Sequence, residues 1–328
     1  MSASAFQGAR VLVTGGLGFL GSNLARRLVE LGSQVTLVDC LHPGQGGLRH
    51  NILGVEHRLA VEIGDLRDQA LLERLLPGQE IIFNLAGQTS HLDSMRDPQL
   101  DLELNCRAHL SLLDAWRRLA PGALTVFAST RQIYGRPDYL PVDEAHPLRP
   151  VDFNGVHKLA GESYHRLHGE VYGLKASILR LTNTYGPRMR IKDARQTFLG
   201  IWISSALMGR SFEVWDGDQL RDFAYVDDVV EALLLAASRP EAIGKVFNLS
   251  GAPPALSLLE TAKLLSRLTG GGFEVKEFPA ERRRIDIGDF YADDALFRRL
   301  TGWMPQVCLE EGLQRTLDYF REHLAAYL

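Results

Sequence analysis

Val11-Leu12-Val13-Thr14-Gly15-Gly16-Leu17-Gly18-Phe19-Leu20-Gly21 decides the fold. A short apolar run, 11–14, meets a glycine-rich turn, and residues 22–31 (SNLARRLVEL) follow as an amphipathic helix. Residues 35–38 read as a second buried strand, closed by Asp39. Gly15, Gly18 and Gly21 stand where a strand must turn sharply into a helix, with Phe19 and Leu20 at the helix start. A side chain on those glycines would hold the backbone away from a pyrophosphate, which needs bare N–H groups and the helix N-terminus. Asp39 falls about 20 residues later, where a carboxylate accepts both hydrogen bonds of an adenosine ribose. Its charge repels a ribose 2′-phosphate, so NAD is expected rather than NADP, with His42 and Arg49 as nearby cations that weigh the other way.

At 328 residues and 45% hydrophobic, the chain can bury a full core, as one large domain or two lobes. A formal net charge of −4 gives no general attraction to nucleic acid or anionic membrane. No apolar run approaches the roughly 20 residues of a membrane span, and MSASAFQGAR lacks the apolar core of a signal peptide. The three cysteines, Cys40, Cys106 and Cys308, have neither metal-ligand spacing nor a disulfide framework. A soluble, cytoplasmic protein without a metal is expected.

Strands and helices alternate through the first 180 or so residues. Strand candidates are 11–14, 35–38, 58–63, 81–85, 124–128 and 176–181, with helical patterns at 100–119 and 152–172. Such alternation implies right-handed crossovers and a doubly wound parallel α/β sheet covered on both faces. After Asn183 the texture changes to a basic loop, a helix near 198–208, a helix at 226–237 and a strand at 246–249. A dinucleotide-binding lobe is expected over 1–182, with 224–250 packing back on it. Segments 183–223 and 251–328, ending in a helix at 309–324, make a smaller mixed substrate lobe.

Several further segments resemble the extended short-chain dehydrogenase/reductase family, specifically its nucleotide-sugar epimerases and dehydratases. Gly64-Asp65-Leu66-Arg67-Asp68 is similar to its G-D-[IL]-x-D segment, which meets the adenine, and Asn84-Leu85-Ala86-Gly87 to the strand end beside the cofactor. Phe127-Ala128-Ser129-Thr130-Arg131-Gln132-Ile133-Tyr134-Gly135 matches F-x-S-[ST]-x-x-V-Y-G, with Thr130 at the catalytic Ser/Thr position. Asn183-Thr184-Tyr185-Gly186-Pro187-Arg188 resembles N-x-Y-G-P-R, whose Asn touches the sugar nucleotide. Arg221-Asp222-Phe223 and, later, Arg283 match positions whose arginines hold the diphosphate. The resemblance covers essentially the whole chain and implies a Rossmann sheet, NAD, a nucleotide-sugar substrate and a homodimer through the helices at 100–119 and 152–172.

One position departs from the pattern. The family's catalytic motif is Y-x-x-x-K; Lys158 stands in its place, but four residues earlier is Asn154. In the resemblance, the Tyr takes a proton from a sugar hydroxyl, Lys lowers its pKa and binds the nicotinamide ribose, and Ser/Thr holds the hydroxyl. Asn cannot act as a general base. Three readings compete. His157 (one helical face with Asn154 and Lys158) or His91 replaces the base; or Asn154 anchors a water or the sugar in different chemistry; or catalysis is lost, leaving an NAD-bound sensor or partner subunit.

The loop Arg188–Arg195 is similar to that of UDP-glucuronate decarboxylases, and its four cations, Arg188, Arg190, Lys192 and Arg195, suit either a diphosphate and carboxylate or plain solvent. Arg131-Gln132 stands where the decarboxylases and 4,6-dehydratases carry acids, and an Arg131 pairing with Glu144 or Asp143 is expected. By subtraction the sequence reads as an NAD-dependent epimerase of a nucleotide sugar, UDP-linked and with a uronic acid among the candidates. A keto-sugar reductase or a decarboxylase- or dehydratase-like enzyme is the enzymatic alternative.

Overall fold

Six short strands occupy the apolar runs: β1 (Arg10–Thr14), β2 (Gln34–Asp39), β3 (Leu59–Ile63), β4 (Ile81–Asn84), β5 (Leu124–Thr130) and β6 (Lys175–Leu181). The computed structural model describes residues 5–328, and for Glu281 and Arg282 the backbone alone. The reading of the N-terminus as lacking a leader begins in residues 1–4, outside the described residues. With a seventh strand at Val246–Asn248, the six form one parallel sheet whose order runs Val246–Asn248, β6, β5, β4, β1, β2, β3. Strand order reverses between β1 and β4, and a parallel sheet opens its binding crevice at such a switch point, beyond the C-terminal strand ends.

The central strands are apolar because helices cover both faces. Val11, Leu12 and Val13 of β1, Ile82 and Phe83 of β4, and Val126 and Phe127 of β5 are all fully buried. Helix α1 (Phe19–Glu30) packs Leu24, Ala25 and Leu28 into this core. Trp116, Leu112 and Leu113 of the Ala108–Leu119 helix fill the other layer.

The long helix Phe153–Tyr172 is bounded as its sequence demands. Asp152 caps it by accepting from the Gly155 N–H at 2.7 Å, and Gly173 ends it in the left-handed conformation at φ +69°. The expected helix over 100–119 is instead three pieces: Pro98–Leu102, a π-helical turn at Glu103–Arg107, and Ala108–Leu119. The extra residue of the π turn accompanies Asn105, whose side chain leaves the helix to bind the backbone of Gln88.

The second half adds two-stranded pieces: Asn183–Tyr185 with Phe223–Tyr225, Leu220–Arg221 with Leu256–Ser257, and Phe212–Trp215 with Phe273–Lys276. Helices Phe198–Leu207, Leu258–Thr269 and Leu309–Tyr327 pack against them. No described helix is long and apolar enough to cross a membrane.

Candidate active site

The crevice is built from the turn after β1. Thr14 Oγ1 donates to Asn84 Oδ1 at 2.9 Å and accepts the N–H groups of Leu85 and Ala86 at 3.1 Å, which fixes the two strand ends together. Gly15 sits at φ +64°, and a Cβ there would lie 2.9 Å from the Ala86 Cα. A Cβ on Gly21 would overlap the Gly15 carbonyl oxygen. Gly18 begins α1 with no side-chain cap, and no acid stands in the first turn, so the N–H groups of that turn are left for an anion. Gly15, Gly18, Phe19, Leu20, Gly21, Asp39, Asp65, Leu66, Leu85 and Ala86 together line one cleft.

At its far end the Asp39 carboxylate accepts from the Leu41 N–H at 2.9 Å and the Leu17 N–H at 3.1 Å, leaving a lone pair on each oxygen for a ribose diol. Burial raises its pKa above the ordinary carboxylate value, opposed by those two hydrogen bonds. Asp65 is held by Arg67, Nη2 to Oδ2 at 2.7 Å, which pulls its pKa down. Bare glycines, an uncapped helix start and a buried acid beyond them fit a dinucleotide.

Beside the cleft, Lys158 is buried, and its Nζ donates to the Ala128 carbonyl at 3.2 Å. Burial pushes its pKa down to about 8, against the pull of Asp101. A Cβ on Gly87, which lines the cleft, would come within 3.1 Å of that Nζ, so the ammonium reaches the cofactor side. Thr130 ends β5 close by and accepts from the Gln132 N–H at 3.2 Å.

Asn154 is buried and points into a polar cluster. Its Nδ2 donates to the Gln88 carbonyl at 2.8 Å and lies 3.3 Å from both Gln88 Oε1 and Asp101 Oδ2. His157 joins the same cluster: its Nδ1 lies 2.6 Å from Asp101 Oδ1. His91 is placed elsewhere, with Nδ1 2.9 Å from Asp152 Oδ2, an ion pair poorly aligned for a hydrogen bond. Asp152 also accepts from Gln132 Nε2 at 2.8 Å, and its pKa is held low by His91 against the effect of burial.

The basic residues divide. Arg188 gives Nε and Nη2 to Asn23 Oδ1 at 2.9 and 2.7 Å and lies over the Tyr319 ring, on the α1 side. Arg190 pairs with Asp193 and donates to the Gln45 carbonyl at 2.7 Å; Arg195 pairs with Asp93 at 2.9 Å and donates to the Gly44 carbonyl. Arg190 and Arg195 therefore edge the cofactor cleft beside the loop 44–47. Arg221 is buried against the Leu220 and Gly288 carbonyls, 3.5 Å from Asp286, and Arg283 pairs with Asp216 at 2.9 Å.

The expected partner of Arg131 is corrected. Glu144 accepts from the Asn248 N–H, and Asp143 from Tyr139 and the Ala145 N–H. Arg131 turns instead to Asn183, with Nη2 and Nε 2.7 and 3.2 Å from its Oδ1, over the Phe290 ring. Residue 131 leaves the end of β5 toward the strand Asn183–Tyr185, whereas Glu144 faces Asn248 on the outermost strand.

Sequence reasoning missed Gln88, Asp101 and Asn105, which hold the Asn154–His157 cluster together. Asp101 and Asn105 sit on an apolar helical pattern where polar residues read as solvent-facing, yet both are fully buried. Full burial of Asp and Asn requires partners, and none is nearby in sequence.

The model of the NAD dependent epimerase/dehydratase family matches residues 11–250. The UDP-glucose 4-epimerase of Mycolicibacterium smegmatis is 32% identical over 316 residues, 95% of this chain and 98% of that protein. UDP-glucuronic acid decarboxylase 1 of Xenopus tropicalis is 32% identical, over 96% of this chain and 73% of its own length. Among solved structures, UDP-glucose 4-epimerase of Thermus thermophilus, in complex with NAD, superposes with a TM-score of 0.83 at 32% identity, covering 95% of this chain and 99% of that one. Cradle, strand order and relatives agree: the chain belongs to the NAD-dependent epimerase/dehydratase family.

Proposed function

We propose that this protein is an NAD-dependent nucleotide-sugar epimerase acting on a UDP-linked sugar. The observation that carries the reading is Lys158, buried on the helix Phe153–Tyr172 with Nζ on the Ala128 carbonyl of β5 and beside Gly87 of the cleft. Bound NAD supplies a reversible hydride acceptor. In this reading Lys158 holds the nicotinamide ribose, Thr130 holds the reacting hydroxyl, and Arg221 with Arg283 clamps the diphosphate. Asn183 meets the sugar nucleotide, Arg188 approaches it from the α1 side and Arg195 from the edge of the cofactor cleft.

The proton acceptor of this reading is the His157–Asp101 pair, a base held by an orienting carboxylate. Asn154 joins the pair to Gln88, which with Asp101 lines a pocket that adjoins the cleft at His42 and Gly44. His91, with Asp152, holds Gln132 at the position where an elimination would need an acid. An amide there supports epimerisation over dehydration.

The lobes are proposed as 1–182 with 224–250, and 183–223 with 251–328. A homodimer through a four-helix bundle is supported by Leu102, Leu110, Phe153, Val156, Leu167 and Val171, all exposed on the helices Pro98–Leu102, Ala108–Leu119 and Phe153–Tyr172. Three free cysteines suit the cytoplasm.

The test is product analysis by NMR, with NAD-loaded protein and a panel of UDP-, GDP- and CDP-sugars. A second sugar isomer without net NADH supports the proposal; stoichiometric NADH, or saturable binding with no product, counts against it. A catalytically silent NAD-bound partner is the second reading, favoured by Asn154 at the tyrosine position.

A further inference from the structure

Arg131 is a half-buried cation without an anion. It makes no ion pair among the described residues, and Nε and Nη2 each donate one hydrogen to the neutral Asn183 Oδ1. Its Nη1 is buried with no hydrogen-bond partner, and so is the Nδ2 of Asn183. The acids in its neighbourhood are occupied elsewhere. Asp222 accepts from Thr182 and the Ala292 N–H, Asp286 from the Gly288 N–H and Arg221, and Asp152 from Gln132 and Gly155. Burial, then the neighbouring Arg221 guanidinium, pushes the Arg131 pKa down to about 9.

Buried donors without partners are costly, and a buried charge without a counter-charge more so. The unpaired nitrogens of Arg131 and Asn183 belong to side chains locked together, so they offer several N–H groups and a positive charge at one place. That place adjoins Thr130, at the C-terminal edge of the sheet where ligands enter. The Phe290 ring backs the guanidinium at 5.3 Å and limits its movement. A carboxylate matches such a donor set, because its two oxygens take N–H groups in one plane.

We propose that Arg131, with Asn183, binds a carboxylate on the sugar of the substrate, so that the protein selects a nucleotide-linked hexuronic acid over its neutral counterpart. The inference rests on the nucleotide-sugar reading above and deepens it. Arg221 and Arg283 are left to the diphosphate, and Arg131 is a specificity-determining residue on the sugar side.

The experiment is titration calorimetry on NAD-loaded protein with UDP, UDP-glucose, UDP-galactose, UDP-glucuronic acid and UDP-galacturonic acid. For the wild type, at least one uronate binds about 10- to 100-fold tighter than its neutral counterpart, the range of a charge-assisted hydrogen-bond pair. In Arg131→Gln that gap closes, while UDP and the neutral sugars keep their affinity within about threefold; Arg131→Lys keeps part of the gap. No gap in the wild type overturns the inference, whatever the variants do. An equal loss of UDP, neutral sugar and uronate in a variant that still binds NAD also overturns it, and assigns Arg131 to the diphosphate. If the wild type binds neither UDP nor any UDP-sugar, the nucleotide-sugar reading itself fails first.

Discussion

His157 Nδ1 lies 2.6 Å from Asp101 Oδ1, and the other oxygen of the same carboxylate faces Asn154 Nδ2 at 3.3 Å. One fully buried acid thus links the residue that replaces the expected tyrosine to the nearest titratable side chain. A structural ion pair and a base with its orienting group share this geometry, and they differ in what their removal does to turnover.

His157→Ala is expected to lower kcat by about 10²–10⁴, the usual worth of a general base, with a smaller change in KM. Asp101→Asn should lower kcat as well, because His157 loses its orienting carboxylate. Steady-state kinetics across pH checks this. A His157→Ala variant that loses thermal stability but keeps kcat would reduce the pair to scaffold.

Asn154→Asp places a second carboxylate beside Asp101, and two acids at that separation cannot both ionise cheaply. The expected loss is about 1–3 kcal/mol of stability at neutral pH, shrinking as acid protonates one of them. Denaturant melts at two pH values measure it. Asn154→Tyr instead restores an ionisable hydroxyl, and in that background His157→Ala should become nearly silent in turnover.

Lys158 carries a pH dependence of two opposite signs. Its pKa in the fold is about 8, below the ordinary 10.5, so between these values the unfolded chain binds more protons. Stability therefore rises with pH across that window, by roughly 3 kcal/mol at 1.36 kcal/mol per unit. NAD affinity should fall over the same window, because an uncharged amine holds the ribose less well. Melting and NAD titration at pH 7 and 9.5 test both, and Lys158→Met should abolish both trends.

In the proposed reading Asp39 selects the cofactor. Its two oxygens already take the Leu17 and Leu41 N–H groups, so the carboxylate is fixed at the cleft. Asp39→Ala should weaken NAD binding by about tenfold or more, as loss of charge-assisted hydrogen bonds does, and narrow the discrimination against NADP. Equal affinity of the wild type for both cofactors would contradict that role.

The sheet was legible because its signals are local. The runs 11–14, 35–38 and 124–128 are short, apolar and rich in β-branched residues, as buried strands are, and the glycines between β1 and α1 act within seven residues. The placement of long side chains was not, because tertiary approach selects their partners. Arg131 passes over Glu144 for Asn183, which is 52 residues away. Asp101 finds His157 across 56 residues, and its burial is invisible on a helix whose pattern reads as amphipathic. The π turn at Glu103–Arg107 likewise accompanies the Asn105–Gln88 hydrogen bonds, a contact that no helical periodicity encodes. The basic loop left its partners open for the same reason. Arg190 and Arg195 find Asp193, Asp93 and the carbonyls of 44–45, so they edge the cofactor cleft.

The central claim is reversible hydride movement on a sugar nucleotide, and isotope tracing tests it most directly. NAD-loaded protein is incubated in deuterium oxide with each UDP-sugar and UDP-uronic acid, and the products are read by NMR. The account predicts a second ring isomer, no solvent deuterium at any ring carbon, and no net NADH. Solvent deuterium at the inverted carbon, or no isomer despite saturable binding, would contradict it.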